Sequence, residues 1–469
     1  MRTDTTLLSQ NRAAAVVALI SGGFLLLSIL VMTFLSPVYG LVGIGFLAGG
    51  LVALYFAFSL RKFVWLLLVT KPLIDLTWRW RFATVAEQGI NVQTLIGLLV
   101  ITVTALAIFL RRQRIVLDTK VIFLVVFAVL SVLFTPTSWG INELIRLITG
   151  VSFFFIAGVV LSEEDFFDRF AKGFILAVSV PVVLGLLQKF DVLPFEYWDW
   201  IEGQAIGRVS GTYQHPLGLI YFLVYAIPLA LYLLTKPSQS LRYRLLLWLF
   251  IGLSMVALVF TYHRTALVAI GLGIWFWMVL TRQYGRAMLL AILVGVLTFW
   301  LRDWVQLFYT NIIDIIQGKV VFSSGEFLRG RGMNWYLFLH SLFSSHPLFW
   351  LFGRGGSVAE GFVPHFGYWS SNEPHNDFIR ILHAYGLIGL GLYLAILFSF
   401  LWKSLRLRRM RDPFSHHLGN LMIVVLTSIV LLSVTTEPMR YPTGVWYLFA
   451  LGSVVSVQYR RLRQYSSGK

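Results

Sequence analysis

The sequence predicts an all-α polytopic membrane protein of about 12–14 transmembrane helices with a long, partly helical loop on its outer side. Three observations predict it. Hydrophobic residues fill 58% of the 469 positions and charged residues only 13%, against roughly 45–50% and about 25% in soluble domains. Mean hydropathy is +0.78. The apolar residues also come in uninterrupted runs of membrane-crossing length, without the alternation of half-buried strands. This balance excludes a cytosolic enzyme, a disordered chain and a nucleic-acid-binding module.

The net charge of +17 comes from 38 Lys and Arg against 21 Asp and Glu. In a soluble protein a pI near 10 would point to nucleic acid. In a membrane protein it marks loops retained in the cytoplasm, so no nucleic-acid partner is expected. Cysteine is absent. That removes disulfides, thiolate nucleophiles and thiolate-bound metals.

Taken in order, the apolar runs lie near 13–35, 38–60, 63–78, 91–110, 119–136, 141–161, 170–188, 216–235, 243–261, 265–281, 287–303, 378–402, 418–436 and 443–458. The first is too long for a signal-peptide core and has no clear cleavage site, so it reads as a retained span. The third is short and carries Lys71, Pro72 and Asp75, which predicts a broken or tilted helix. With the N-terminus in the cytoplasm, alternating inner segments hold 24 of the 38 basic residues. The densest are Arg111-Arg112-Gln113-Arg114, the 403–411 run and Arg460-Arg461-Leu462-Arg463. The organisation is therefore transmembrane helices over 1–303 with a shorter outer loop at 189–215, a long outer loop at 304–377, and C-terminal helices with a tail over 378–469. The long loop opens on an apolar stretch, Trp304 to Ile316, expected to lie in the membrane interface. Long loops in compact proteins are usually functional.

The chemistry is expected on the outer face. Fourteen basic residues lie outside the inner segments, among them Arg79, Arg81, Arg208, Arg264, Arg302, Lys319, Arg329, Arg331, Arg354 and Arg440. The arginine fork suits phosphate and keeps its charge, so the set suggests an anion site; snorkelling and local ion pairs are the ordinary alternatives. Arg264 sits in a very short turn, Thr261-Tyr262-His263-Arg264-Thr265. Arg208 opens Arg208-Val209-Ser210-Gly211-Thr212-Tyr213-Gln214-His215-Pro216, with Pro216 suited to the first turn of a helix. The free N–H groups of a helix start attract phosphate. A third cluster, Glu373-Pro374-His375-Asn376-Asp377, leads into another span. A histidine there can move protons near neutral pH. Nearby aromatics such as Tyr213, Tyr368 and Trp369 could stack on sugars or simply belong to the interfacial belt.

No HExxH, Walker loop or GxSxG elbow is present. Outer acidic residues are sparse, so neither metal nor cofactor is expected. Charges within spans would be the signature of a transporter. Lys71, Asp75 and Arg146 qualify loosely, although Lys71 and Asp75 are four apart and can pair on one helix face.

His375-Asn376, nine residues, then Gly386-Leu387-Ile388-Gly389 resembles the signature of the bacterial O-antigen ligase and polymerase superfamily. Arg208 to Tyr213 is similar to that family's arginine–glycine–aromatic turn, and His263-Arg264-Thr265-Ala266-Leu267 to its short arginine turn. Arg331 with Trp335, His346-Pro347 and Gly353-Arg354-Gly355-Gly356 resemble the run before its histidine. The resemblance covers about residues 200–400. It implies a metal-independent membrane glycosyltransferase of the bacterial inner membrane, with cytoplasmic termini and a periplasmic site. The donor would be a glycan on undecaprenyl diphosphate. The acceptor would be the lipid A core in a ligase, the favoured reading, or a second lipid-linked unit in a polymerase. His375, Arg264 and Arg208 are the expected catalytic residues. Arg331, Asn376, Glu373, Tyr213 and His215 are the expected substrate contacts. A lipid-linked glycan transporter is the reading from a different class.

Overall fold

The computed structural model describes residues 52, 55, 59–77, 81–85, 88–110, 116–134, 138–195, 197–201, 204–300, 331–355 and 374–467. The first apolar run, nearly all of the second, the interfacial stretch 304–316 and Glu373 lie outside them. So do Tyr368, Trp369, Arg79, Arg302, Lys319 and Arg329.

The helices are α1 (Leu60–Ile74), α2 (Val92–Leu110), α3 (Thr119–Phe134), α4 (Ser138–Leu161), α5 (Glu164–Lys189), α6 (Pro216–Leu234), α7 (Leu241–Phe260), α8 (Arg264–Leu280), α9 (Tyr284–Trp300), α10 (Arg331–Phe343), α11 (Pro347–Phe352), α12 (Asp377–Leu407), α13 (Pro413–Ser433) and α14 (Pro442–Ser467). Among the described residues, six stretches are long and apolar enough to cross a membrane: Glu143–Leu161 within α4, and α5, α6, α7, α12 and α13. Leu95–Phe109, α3 and α8 are shorter apolar helices. The protein is thus an all-α multi-pass membrane protein. Two small antiparallel hairpins interrupt the helical pattern: β1 (Arg81–Val85) with β2 (Gln88–Asn91), and β3 (Tyr197–Ile201) with β4 (Gln204–Arg208). Both lie in connections, where aromatic and β-branched residues can pair without entering the bundle.

The centre is α6, buried along nearly its whole length and surrounded by α5, α7, α13 and α14. α14 runs along α4. Gly158 brings the two backbones so close that a Cβ there would lie 2.2 Å from Ser453 Oγ. The Gly158 N–H donates to that oxygen at 2.9 Å. Without a hydrophobic force between helices in lipid, such close approach of small residues is what packs them.

α1 ends as its sequence predicts. Pro72 lacks an N–H, which strands the Leu68 carbonyl four residues back; the Tyr447 hydroxyl donates to it at 2.6 Å. Lys71 is buried, pairs with Asp75, and lies 4.8 Å over the Trp446 ring. Asp75 also accepts from Thr443 at 2.9 Å. Arg146 pairs with Glu143 at 3.6 Å. The span charges that suggested a transport path therefore sit in ion pairs.

α12 is not one straight span. Gly386 takes φ 66°, ψ −171°, and breaks it into a nine-residue first piece and a 21-residue piece from Leu387 to Leu407. The second piece covers about 31 Å at 1.5 Å per residue, enough to cross the hydrocarbon core. The carbonyls exposed at the break find donors. Arg354 N–H reaches His383 O at 2.8 Å, Gly355 N–H reaches Ala384 O at 2.9 Å, and Ser131 Oγ also donates to Ala384 O at 2.8 Å. Gly353, with φ 73°, lies on the break: a Cβ there would meet Ala384 O at 2.3 Å. The spacing from Asn376 to Gly386 is thus the length of the first piece. The stretch 331–355, expected in an outer loop, packs back on α12, with Phe352 stacked on Phe127 at 5.5 Å.

Candidate active site

Three chain segments form one mouth at an end of the bundle. The first is 208–216. Gln188, at the end of α5, accepts from the Ser210 and Gly211 N–H groups at 3.1 Å each and donates to Pro194 O at 3.2 Å. The second is the turn 261–264. Val209 N–H donates to Phe260 O at 3.0 Å, and Arg208 Nε donates to Thr261 O at 2.8 Å. The Arg208 guanidinium also lies 5.5 Å over the Tyr197 ring, its cross-strand partner. Backbone, carbonyl and ring together fix one orientation for a buried cation. The third is 374–376. Trp335, one turn after Arg331 on α10, donates its indole N–H to Pro374 O at 2.7 Å. α10 therefore holds the loop of His375 through Trp335, while the Arg331 charge at its start is felt by His263.

Each segment carries a residue in the left-handed region. Thr212 has φ 67°, Tyr262 φ 53° and His375 φ 51°. Tyr262, like Asp191 and Arg282, the other non-glycine cases among the described residues, stands two residues past the end of a helix (α7, α5 and α8), where a left-handed residue is common. For a β-branched residue such as Thr212 this backbone is a genuine outlier, and imposed strain of this kind gathers at functional sites.

Two histidines feel the arginine charges. His215 caps α6, its Nδ1 accepting the Leu217 N–H at 3.1 Å, and its ring meets Tyr197 edge-on at 4.4 Å. Burial pushes its pKa down to about 3, with the Arg208 and His375 charges adding to the effect. His263 stands at the N-cap position of α8. Burial pushes it down to about 3 as well, helped by Arg331, Arg208 and His215. Both imidazoles are neutral at neutral pH. Because Nδ1 of His215 accepts a hydrogen bond, its proton resides on Nε2. His215 thus lies within electrostatic reach of Arg208 and His375, and His263 within reach of Arg331, Arg208 and His215. Arg264, half-buried, is the first residue of α8 beside His263.

Other expected contacts are placed differently. Tyr213 is buried; its ring packs on Phe222 at 5.4 Å and its hydroxyl donates to Pro72 O at 2.8 Å. It anchors the loop from behind and is not available for a sugar. Asn376 spends its amide on backbone: Oδ1 accepts from Ile379 N–H at 3.1 Å and Nδ2 donates to Val434 O at 3.0 Å. Arg354 donates to Ser341 Oγ at 2.7 Å and lies over Phe349. Arg440, grouped with the anion-binding arginines by its position, belongs to a charge network. There Arg146, Arg380 and Arg440 face Glu143, Asp377 and Glu437. Gln188, Glu143 and Glu437 escaped the sequence reading. The signal in each case was a single polar residue at the end of an apolar run.

No curated protein matches the chain significantly. Residues 245–394 match the family model described as O-antigen ligase. The match runs from α7 into α12 and takes in the Arg264 turn, Arg331, His375 and the break at Gly386. The similarity to that family thus covers about a third of the chain.

Proposed function

We propose that this chain transfers a glycan from undecaprenyl diphosphate to an acceptor sugar hydroxyl, as an O-antigen ligase does in lipopolysaccharide assembly, at the periplasmic mouth described above. One observation carries the reading: the fixed, buried Arg208 guanidinium acts on two neutral histidines, one of which also feels His375 and the other Arg331. The domain match supports ligase-like transfer in general.

In the reaction the acceptor oxygen attacks the anomeric carbon, the bond from that carbon to the diphosphate oxygen breaks, and the diphosphate leaves with the electron pair. His375 takes the hydroxyl proton. Charge grows on the leaving diphosphate, and Arg208, Arg264 and Arg331 meet it with cations already oriented, so little reorganisation is needed. The N-terminus of α8 adds its dipole from the same side. His215 Nε2–H adds a neutral donor. Arginine charge takes the part that a metal plays in other transferases, so a chelator is expected to leave turnover unchanged.

The test is transfer in vitro with a purified undecaprenyl-diphosphate glycan, offered either lipid A core or more of itself. Product on the lipid A core supports the ligase reading. A ladder of longer lipid-linked chains makes the protein a polymerase. No product with either acceptor, from folded protein, refutes glycosyl transfer and returns attention to a lipid-linked glycan transporter.

A further inference from the structure

We propose that Glu437 is a positioning residue for His375: its buried carboxylate holds the His375 peptide in the left-handed conformation that sets the imidazole in the mouth. The inference rests on the reading of His375 as the group that receives the acceptor proton.

His375 has φ 51°. A non-glycine residue keeps that backbone only where its surroundings impose it. Pro374 is held by Trp335 through its carbonyl. Asn376 is held by its capping bond and by Val434. Between them the His375 N–H donates to Glu437 Oε1 at 3.0 Å. Glu437 thus grips the strained residue itself.

The carboxylate is 2% exposed. A charged acceptor makes a stronger bond to a peptide N–H than a neutral one, but a buried carboxylate needs compensation. Arg440 Nη1 lies 3.4 Å from Glu437 Oε2, leaving Oε1 directed at His375. Arg440 reaches Glu143 at 3.9 Å, and Glu143 pairs with Arg380, which holds Asp377 at 3.1 Å. Asp377 in turn accepts the Met439 N–H at 2.8 Å. The circuit closes two residues from where it began. It joins the start of α12 to the turn between α13 and α14. That junction has its own ties in Asn376 to Val434 and Asp377 to Met439, so the Glu437 bond to His375 is not needed merely to hold it together. Its particular effect falls on the dihedral angles of His375.

The experiment measures kcat and KM for the donor in wild type, E437A, E437Q, H375A and the double variant H375A/E437A, with thermal unfolding of each. Displacement of the imidazole by about 1 Å corresponds to a loss on the order of 10²-fold. E437A is expected to lose about that much in kcat with KM nearly unchanged. E437Q keeps an acceptor oxygen in place and is expected to recover most of the loss. In the H375A background E437A is expected to cost nothing more, because its effect passes through His375. Equal fractional losses from E437A with and without His375 would overturn the proposal, as would full turnover in E437A. Full turnover in H375A refutes instead the role of His375 and removes the premise. Where E437A does not fold, Glu437→Met, of similar length and without an acceptor, takes its place in the same comparison.

Discussion

Gly353 and Gly386 meet backbone to backbone at the break in α12. A Cβ on Gly386 would lie 2.2 Å from Leu351 O and 2.6 Å from Gly353 N. Both residues have positive φ. Gly386→Ala is therefore expected to destabilise by about 1–3 kcal/mol from overpacking, with a further cost for the left-handed backbone. Because Arg354 and α11 rest on that break, turnover should fall with stability. An unchanged unfolding temperature in both G386A and G353A would show that the two strands of backbone are not pressed together.

Arg208 is held by its Nε, its burial and the face of Tyr197, all features of a guanidinium. Arg208→Lys keeps the charge but loses the Nε donor and the planar stack. It is expected to lose nearly as much turnover as Arg208→Ala, roughly 10²–10³-fold in kcat by the scale of a lost oxyanion donor. Near-normal turnover in R208K would mean that charge alone suffices.

His215 and His263 make the mouth acid-sensitive. Their folded pKa values of about 3 lie below the ordinary 6.5. Between those values the unfolded chain binds protons that the folded chain refuses, so stability is full above about pH 6.5 and declines as pH falls toward 3. Unfolding temperatures measured from about pH 7 to about pH 4 should therefore drop more steeply in wild type than in H215N/H263N, where Asn at 215 keeps a capping side chain for α6. Parallel curves would place the acid-sensitive groups elsewhere.

Lys71 and Asp75 test structure against transport. Removing one partner of a buried ion pair typically costs about 3–5 kcal/mol, whereas replacing both with apolar residues is often neutral. K71M and D75L should each reduce folded protein, and K71M/D75L should restore it with glycan transfer intact. Restored folding with transfer abolished would assign the pair a part in the reaction.

The helix starts that border the candidate site were legible in the sequence because their signals are local. Pro216 marked the start of α6, the short Thr261–Thr265 turn marked α8, and His375-Asn376 marked a capped helix. The misreadings have physical causes. The break at Gly386 lies inside an apolar run, and hydropathy carries no information about φ. Tyr213 and Arg440 share the composition and location of outer-face binding residues; burial against α6 and pairing with Glu437 decide otherwise, and both depend on chain segments far away. Glu437 and Gln188 act on backbone atoms 62 and 22–23 positions away, a relation that no motif spacing encodes.

Two tyrosine hydroxyls hold the proline end of α1. Tyr447 occupies the carbonyl that Pro72 strands, and Tyr213, from the loop of Arg208, occupies the carbonyl of Pro72 itself. The loop that presents the arginine is thereby moored to a short helix carrying an imperfection in its hydrogen-bond ladder. The Arg208 loop and α14 therefore share one anchor, so a substitution at Pro72 is felt in both.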